Sequence, residues 1–276
     1  DNTYNGNAIH FVGINEVAAG SGETTLIGAA DENNTLIAGT GANSIWGGGA
    51  SNDLLVGAAD NPEKDDQTEF FFVVGDGKDT IQNFKFSDPD GYNANADKLN
   101  TGNTAVGEVQ IDGSDVVVSL MNTNDRVRLE GAKGQDFQVE NSYDTVTAQV
   151  GDTELTYDGE ADFFFATGKN AKLVVAENSA DNAEIWRNND ERGDSTFKGD
   201  IKTIDASAYE GTAELVGNDN NNVIIAGSGN TSLWGGNNGD DSLIGGEGAD
   251  LFWYEMGNGN DTISGAGSND TINLYG

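Results

Sequence analysis

Large apolar residues recur near every ninth position in the C-terminal part of this chain, and that spacing rules out most folds. Ile224, Leu233, Leu243, Phe252, Ile263 and Ile272 stand nine to eleven residues apart. An amphipathic helix needs an apolar residue every three or four positions, and a long half-buried strand needs one at every second. A nine-residue cycle accommodates instead a three-residue strand and a six-residue turn, repeated. The turns are rich in glycine and end in Asn, Thr or Asp, as in GGNNGDDSLIGGEGADLFW at 235–253. Glycine admits left-handed backbone and close approach, Asp offers oxygen ligands, and the branched or aromatic residue seeks burial. Several such cycles in phase make a coil of short stacked strands.

The N-terminal part carries the same cycle, with anchors at Leu26, Leu36, Ile45, Leu55 and Ile81. AGTGANSIWGGGASNDLLVG at 38–57 reappears as AGSGNTSLWGGNNGDDSLIG at 226–245, and FFFVVGDGKDTI at 70–81 reappears as FWYEMGNGNDTI at 252–263. Such duplication is the sequence signature of a repeat architecture. Between the two blocks, GEVQIDGSDVVVSLMNTNDRVRLEGAKGQDFQV at 107–139 alternates polar and apolar residues around DG and NTND turns. That pattern predicts antiparallel hairpins, continuing through ADFFFATG near 165. The expected division is a first roll over 1–100, a hairpin module over 101–165, and irregular rungs leading into a second roll over 166–276. The FFF runs at 70–72 and 163–165 predict strands buried on both faces, or a junction between modules.

Charge narrows the partners. Lys and Arg number 13 against 47 Asp and Glu, a formal net charge of −34 over 276 residues. A compact state with that charge repels itself unless counter-ions are held close. Nucleic acid is excluded as a partner, because its phosphates need a basic surface. Hard cations prefer oxygen ligands, so Ca²⁺ is the natural remedy. Cysteine is absent, so no disulfide can staple the fold. No apolar run approaches the ~20 residues that span a bilayer, and no membrane insertion is expected. The chain opens at Asp1 without a leader-like stretch, and reads as a mature or excised piece of something longer.

GGEGADLFW at 245–253 fits the pattern G-G-x-G-x-D-x-U-x, with U large and apolar, at every defined position. GNGNDTIS at 257–264 and GAGSNDTIN at 265–273 fit nearly as well, while AGTGANSIW and AGSGNTSLW keep the glycines and lose the Asp. The pattern resembles the RTX, or haemolysin-type, calcium-binding repeat, over about half to two-thirds of the chain. The resemblance implies an all-β fold: parallel β-roll (β-solenoid) blocks of nonapeptide turns, separated by antiparallel hairpins. It also implies kinship with the repeat regions of large secreted bacterial surface, S-layer-like or adhesin proteins.

In a β-roll the rungs lie about 4.8 Å apart and successive turns fall on opposite edges, so a site is shared between one turn and the next but one. Asp carboxylates and turn carbonyls can then supply the six to eight oxygens that Ca²⁺ takes at ~2.4 Å. On this logic Asp241 pairs with Asp261 on one edge and Asp250 with Asp270 on the other. In the first block Asp53 pairs with Asp79, with Asp97 as the closing ligand. Asp240 is ambiguous, because the repeat at 235–244 carries one extra residue. Where the key position is Thr24, Asn34, Asn43, Thr68, Asn222 or Thr231, a neutral side chain is expected to hydrogen-bond its own turn or its neighbour in the ladder. SDPDGYNANAD at 87–97 reads as a type I turn in preference to a separate calcium loop through Asp88 and Asp90. Trp46 and Trp234 occupy equivalent places and are expected to cap the roll's thin core in preference to forming a carbohydrate platform.

No catalysis is expected. His10 is the only histidine, and neither H-E-x-x-H nor G-x-S-x-G occurs. The leading expectation is a calcium-stabilised structural segment of a secreted bacterial cell-surface protein, an S-layer, filament or adhesin stalk that self-associates or continues into neighbouring repeats. The alternatives are a calcium-dependent folding and secretion module, and a carbohydrate- or protein-binding module acting through the hairpins. Two rolls with hairpins between them favour the structural reading, since a secretion tail needs only one.

Overall fold

Each cycle folds as three to five extended residues followed by a glycine turn that sends the chain to the opposite sheet. The computed structural model describes residues 9–10, 15–58, 67–86, 96–140, 145–157, 163–176, 182–187 and 195–276. Asp88 and Asp90 lie outside the described residues. The architecture is an all-β parallel β-roll with an antiparallel insertion, in two compact units, Asp1–Thr147 and Ala148–Gly276.

In the first unit one sheet stacks Ile9–His10, Thr24–Ile27, Asn43–Trp46, Thr68–Phe71, Lys98–Asn100 and Asp136–Glu140, all parallel. The other stacks Glu16–Ala18, Thr35–Ile37, Leu54–Val56 and Lys78–Gln82. Register is strict, because one side chain per strand must face inward. Leu26, Ile45, Phe70, Leu99 and Val139 form one inward file, and Leu36, Leu55, Ile81 and Leu129 form the other. All nine are buried. Each such burial contributes on the order of 2 kcal/mol, and a one-residue slip would turn the whole file outward.

The second unit repeats the scheme. Ile185, Leu215, Leu233, Phe252 and Ile272 align in one sheet, and Leu155, Leu173, Ile204, Ile224, Leu243 and Ile263 in the other. One strand breaks chain order: Ser195–Lys198 lies between Phe163–Ala166 and Asn182–Arg187, parallel to both.

Three expectations need correction. In the expected hairpin region Val106–Asp112, Asp115–Leu120 and Arg126–Leu129 pair antiparallel, the first two joined across the DG turn with Asp112 opposite Asp115. Arg126–Leu129 then runs parallel to Lys78–Gln82, Asp136–Glu140 to Lys98–Asn100, Thr145–Gly151 to Phe163–Ala166, and Glu154–Tyr157 to Ala171–Val175, so these strands also join the parallel ladders of the roll. The FFF runs are buried on one face only. Phe70, Phe72 and Phe164 are inside, while Phe71, Phe163 and Phe165 are half-buried on the outer face. Trp46 and Trp234 do not close the core either: each follows an inward anchor, so the pleat sets it on the outer face.

Candidate metal-binding turns

The turns that precede each strand stack on the edges of the roll, and the last turn residue carries the key side chain. In the second unit Asn222, Asp241 and Asp261 form one edge file. The backbone N–H of Asn222 donates to Asp241 Oδ1 at 2.8 Å, and that of Asp241 donates to Asp261 Oδ1 at 3.0 Å. The opposite edge repeats this with Thr231, Asp250 and Asp270, at 2.9 Å in both steps. In the first unit Asn34, Asp53 and Asp79 are linked the same way, at 2.6 and 2.9 Å. The structure therefore brings together Asp241 with Asp261, Asp250 with Asp270, and Asp53 with Asp79.

Asp97 is not brought to Asp53 and Asp79. It lies on the other edge, where it accepts from the backbone N–H of Thr68 at 2.6 Å and of Lys85 at 2.9 Å. Asp240 belongs to a separate exposed file: its N–H donates to Asn221 Oδ1 at 3.1 Å, and its Oδ1 accepts from Asn260 N–H at 2.8 Å. The neutral positions tie their own turns. Asn43 Nδ2 donates to the carbonyl of Gly39 at 2.9 Å, and Asn222 Oδ1 accepts from the N–H of Asn218 at 2.8 Å.

One oxygen of each stacked Asp is thus committed to the ladder, and the second oxygen decides the chemistry. Asp79 Oδ2 and Asp241 Oδ2 are buried without a hydrogen-bond partner. A buried acceptor left unpaired costs about 1–3 kcal/mol, and more when charged. Beside Asp241 the floor of the turn is Gly235, where a Cβ would overlap Asp241 Oδ2. On Gly217, one rung away, a Cβ would overlap the carbonyl of Gly235. Gly47 stands to Asp53 as Gly235 does to Asp241. Glycine is required at these places because carboxylate and carbonyl oxygens occupy the room a side chain would take. Among the described residues no three His, Cys, Asp or Glu side chains converge on one point. A cation held between turns would therefore draw most of its ligands from the backbone, as a hard ion that takes carbonyl oxygens can.

Electrostatics agrees with that chemistry. Burial pushes the Asp79 carboxyl up to about 8, opposed by the N–H of Asp53 and assisted by the charges of Asp53, Asp76 and Asp125. Burial pushes Asp241 up to about 6, opposed by the N–H of Asn222 and assisted by Asp261 and Asp240. Asp53 and Asp261 are raised by burial as well, whereas Asp270 is lowered by the N–H groups of Asp250 and Gly267.

A carboxyl raised in the fold keeps its proton more readily folded than unfolded, so without metal the stability falls as pH rises from about 4 to about 8. Melting of calcium-depleted protein between these values should show that decline, and Asp79→Asn should flatten its upper half. A melting temperature that climbs with pH in calcium-depleted buffer would contradict this assignment.

Asp76 and Asp125 escape the repeat pattern but belong to the same edge of the first unit. Asp76 is buried, accepts the Trp46 indole N–H with both oxygens at 3.0 Å, and takes the N–H of Val73 at 2.6 Å. Asp125, from the NTND turn, accepts the N–H groups of Gly75 at 2.8 Å and Gly77 at 3.1 Å. Asp76 fills an open position of GDGKD, so its carboxylate is visible in the sequence. The approach of Asp125 depends on the hairpin docking and leaves no local signal.

The family model of the RTX calcium-binding nonapeptide repeat (4 copies) matches residues 28–61, 210–237, 216–252, 236–258 and 257–276. These segments are RTX repeats, and such repeats bind Ca²⁺. They contain Asp53, Asp241, Asp250, Asp261 and Asp270, whereas Asp79 and Asp97 lie outside them. No curated protein matches the chain.

Proposed function

We propose that these RTX repeats form a calcium-stabilised structural segment of a bacterial cell-surface protein, an S-layer, filament or adhesin stalk, with no catalysis of its own. RTX repeat proteins are typically secreted and the repeats typically structural. Among the described residues no helix is long and apolar enough to cross a membrane, a statement that leaves strands aside. The observation that carries the reading is the stacked Asp ladder: the second oxygens of Asp241 and Asp79 are buried without a partner, and glycine floors lie beneath Asp241 and Asp53.

Asp241 with Asp261, Asp250 with Asp270, and Asp53 with Asp79 would hold Ca²⁺ together with turn carbonyls, and Asp97 would serve the opposite edge of the first roll. The ion supplies charge that the crowded carboxylates lack. The residues themselves align the rungs and keep the turns in register. The expected division into a first roll over 1–100, a hairpin module over 101–165 and a second roll over 166–276 serves as the working plan for truncations.

The outermost described rung leaves Ile272 50 % and Leu274 71 % exposed. Apolar side chains on a rung face are covered by a further rung, from neighbouring repeats or a second copy. Sedimentation and electron microscopy of the 276-residue chain test the structural role. Growth into linear assemblies in calcium, reversed by chelator, is the expected result. A monomer in both conditions would remove assembly from the account.

A further inference from the structure

We infer that the outer face of the second unit carries a binding groove for a neutral saccharide, built on Trp253 and Tyr275. Leu233 and Phe252 point into the core, so the alternate residues Ser232, Trp234 and Trp253 face outward, and Glu255 and Tyr275 lie opposite each other one pleat further along. Together with Glu214 they line a groove of about 330 Å³. That volume lies at the lower end of small-ligand sites, enough for one or two sugar rings.

The nonapeptide cycle demands one large apolar residue per strand, and Phe252 meets that demand. It asks nothing aromatic of positions 253 and 275. Yet the Trp253 and Tyr275 rings lie parallel, 8° apart in plane with centroids at 5.4 Å. The Trp253 ring is also held in place, its N–H donating to Ser232 Oγ at 2.9 Å. The equivalent row of the first unit, Ile27, Trp46 and Phe71, lacks this arrangement, because the Trp46 N–H is drawn down to Asp76.

Parallel, pre-positioned rings present flat apolar surface to the C–H face of a pyranose, and carboxylates at the rim accept its hydroxyl hydrogens. A cation would be better served by rings set at angles around it. The net charge of −34 disfavours uronic, sialylated or sulfated glycans, which leaves uncharged sugars.

The test uses the 276-residue chain in saturating calcium. Neutral di- to tetrasaccharides of glucose, mannose and galactose are titrated, with tryptophan emission and calorimetry as readouts. At least one should bind saturably, and Trp253→Ala and Tyr275→Ala should each weaken it by about tenfold or more. Glu255→Gln, which keeps an acceptor, should leave affinity within about threefold. If Trp253→Ala also lowers the melting temperature, Tyr275→Ala, at an exposed position, decides between the outcomes. No binding across the panel, or binding untouched by both aromatic substitutions, would overturn the proposal. So would saturable binding of tetramethylammonium or arginine that both substitutions abolish. Calcium-dependent melting is measured alongside, so that failure here stays separate from failure of the structural reading.

Discussion

Withdrawal of calcium is expected to lower the melting temperature of this protein by on the order of 20 °C. An ion that binds only the folded state stabilises it by RT ln(1 + [L]/Kd), about 1.4 kcal/mol at tenfold and about 2.7 kcal/mol at hundredfold excess over Kd. Three paired sites would then contribute about 4–8 kcal/mol, comparable to the whole net stability of a typical domain. For units of this size each kcal/mol moves the melting temperature by a few degrees. Scanning calorimetry in millimolar calcium and in EGTA measures the difference. Coincident melts would remove calcium from the energetics.

Asp241→Asn should destabilise the calcium-loaded protein and stabilise the calcium-free one. With the ion present, replacing a charged ligand weakens the site, a loss of up to about 1.4–2.7 kcal/mol, the contribution of one occupied site. Without the ion the sign reverses. Burial and the Asp261 and Asp240 charges raise the Asp241 carboxyl to about 6, so at pH 7.5 the folded state bears the full penalty of an ionised buried group. Asn removes that charge and can still accept the N–H of Asn222, which favours the fold by on the order of 1 kcal/mol. Asn43→Ala in the first unit supplies the contrast. Asn43 Nδ2 ties the carbonyl of Gly39, so its loss should cost about 1 kcal/mol with or without calcium. A shift of the same sign for Asp241→Asn in both buffers would show that this carboxylate is not a ligand.

The roll itself is legible in the sequence because its period, its glycines and its buried anchors all state the same constraint. Register follows once one inward residue per strand is known, and so Asp241 can be matched to Asp261 and Asp53 to Asp79 by counting. The same counting separates Asp97 from that pair. Asp79 and Asp97 close consecutive turns, and consecutive turns fall on opposite edges. The outward place of Trp46 has an equally local reason, since a residue next to the inward Ile45 must point away from the core.

The extent of the hairpins is not legible, because polar–apolar alternation is common to antiparallel strands and to parallel rungs. Leu155 and Tyr157 alternate as Val116 and Val118 do, and only the partner strand distinguishes them. The paired rings at Trp253 and Tyr275 are hidden too. They come from different repeats and meet only when the rungs stack.

The central claim is that calcium sits between stacked turns at the Asp pairs, and anomalous diffraction tests it most directly. Crystals grown in calcium, measured at a wavelength where its anomalous signal is strong, should show peaks between Asp241 and Asp261, between Asp250 and Asp270, and between Asp53 and Asp79. Crystals of Asp241→Asn should lose the first of these peaks and keep the second. Calcium peaks elsewhere, or none at these turns in crystals of the folded protein, would contradict the account.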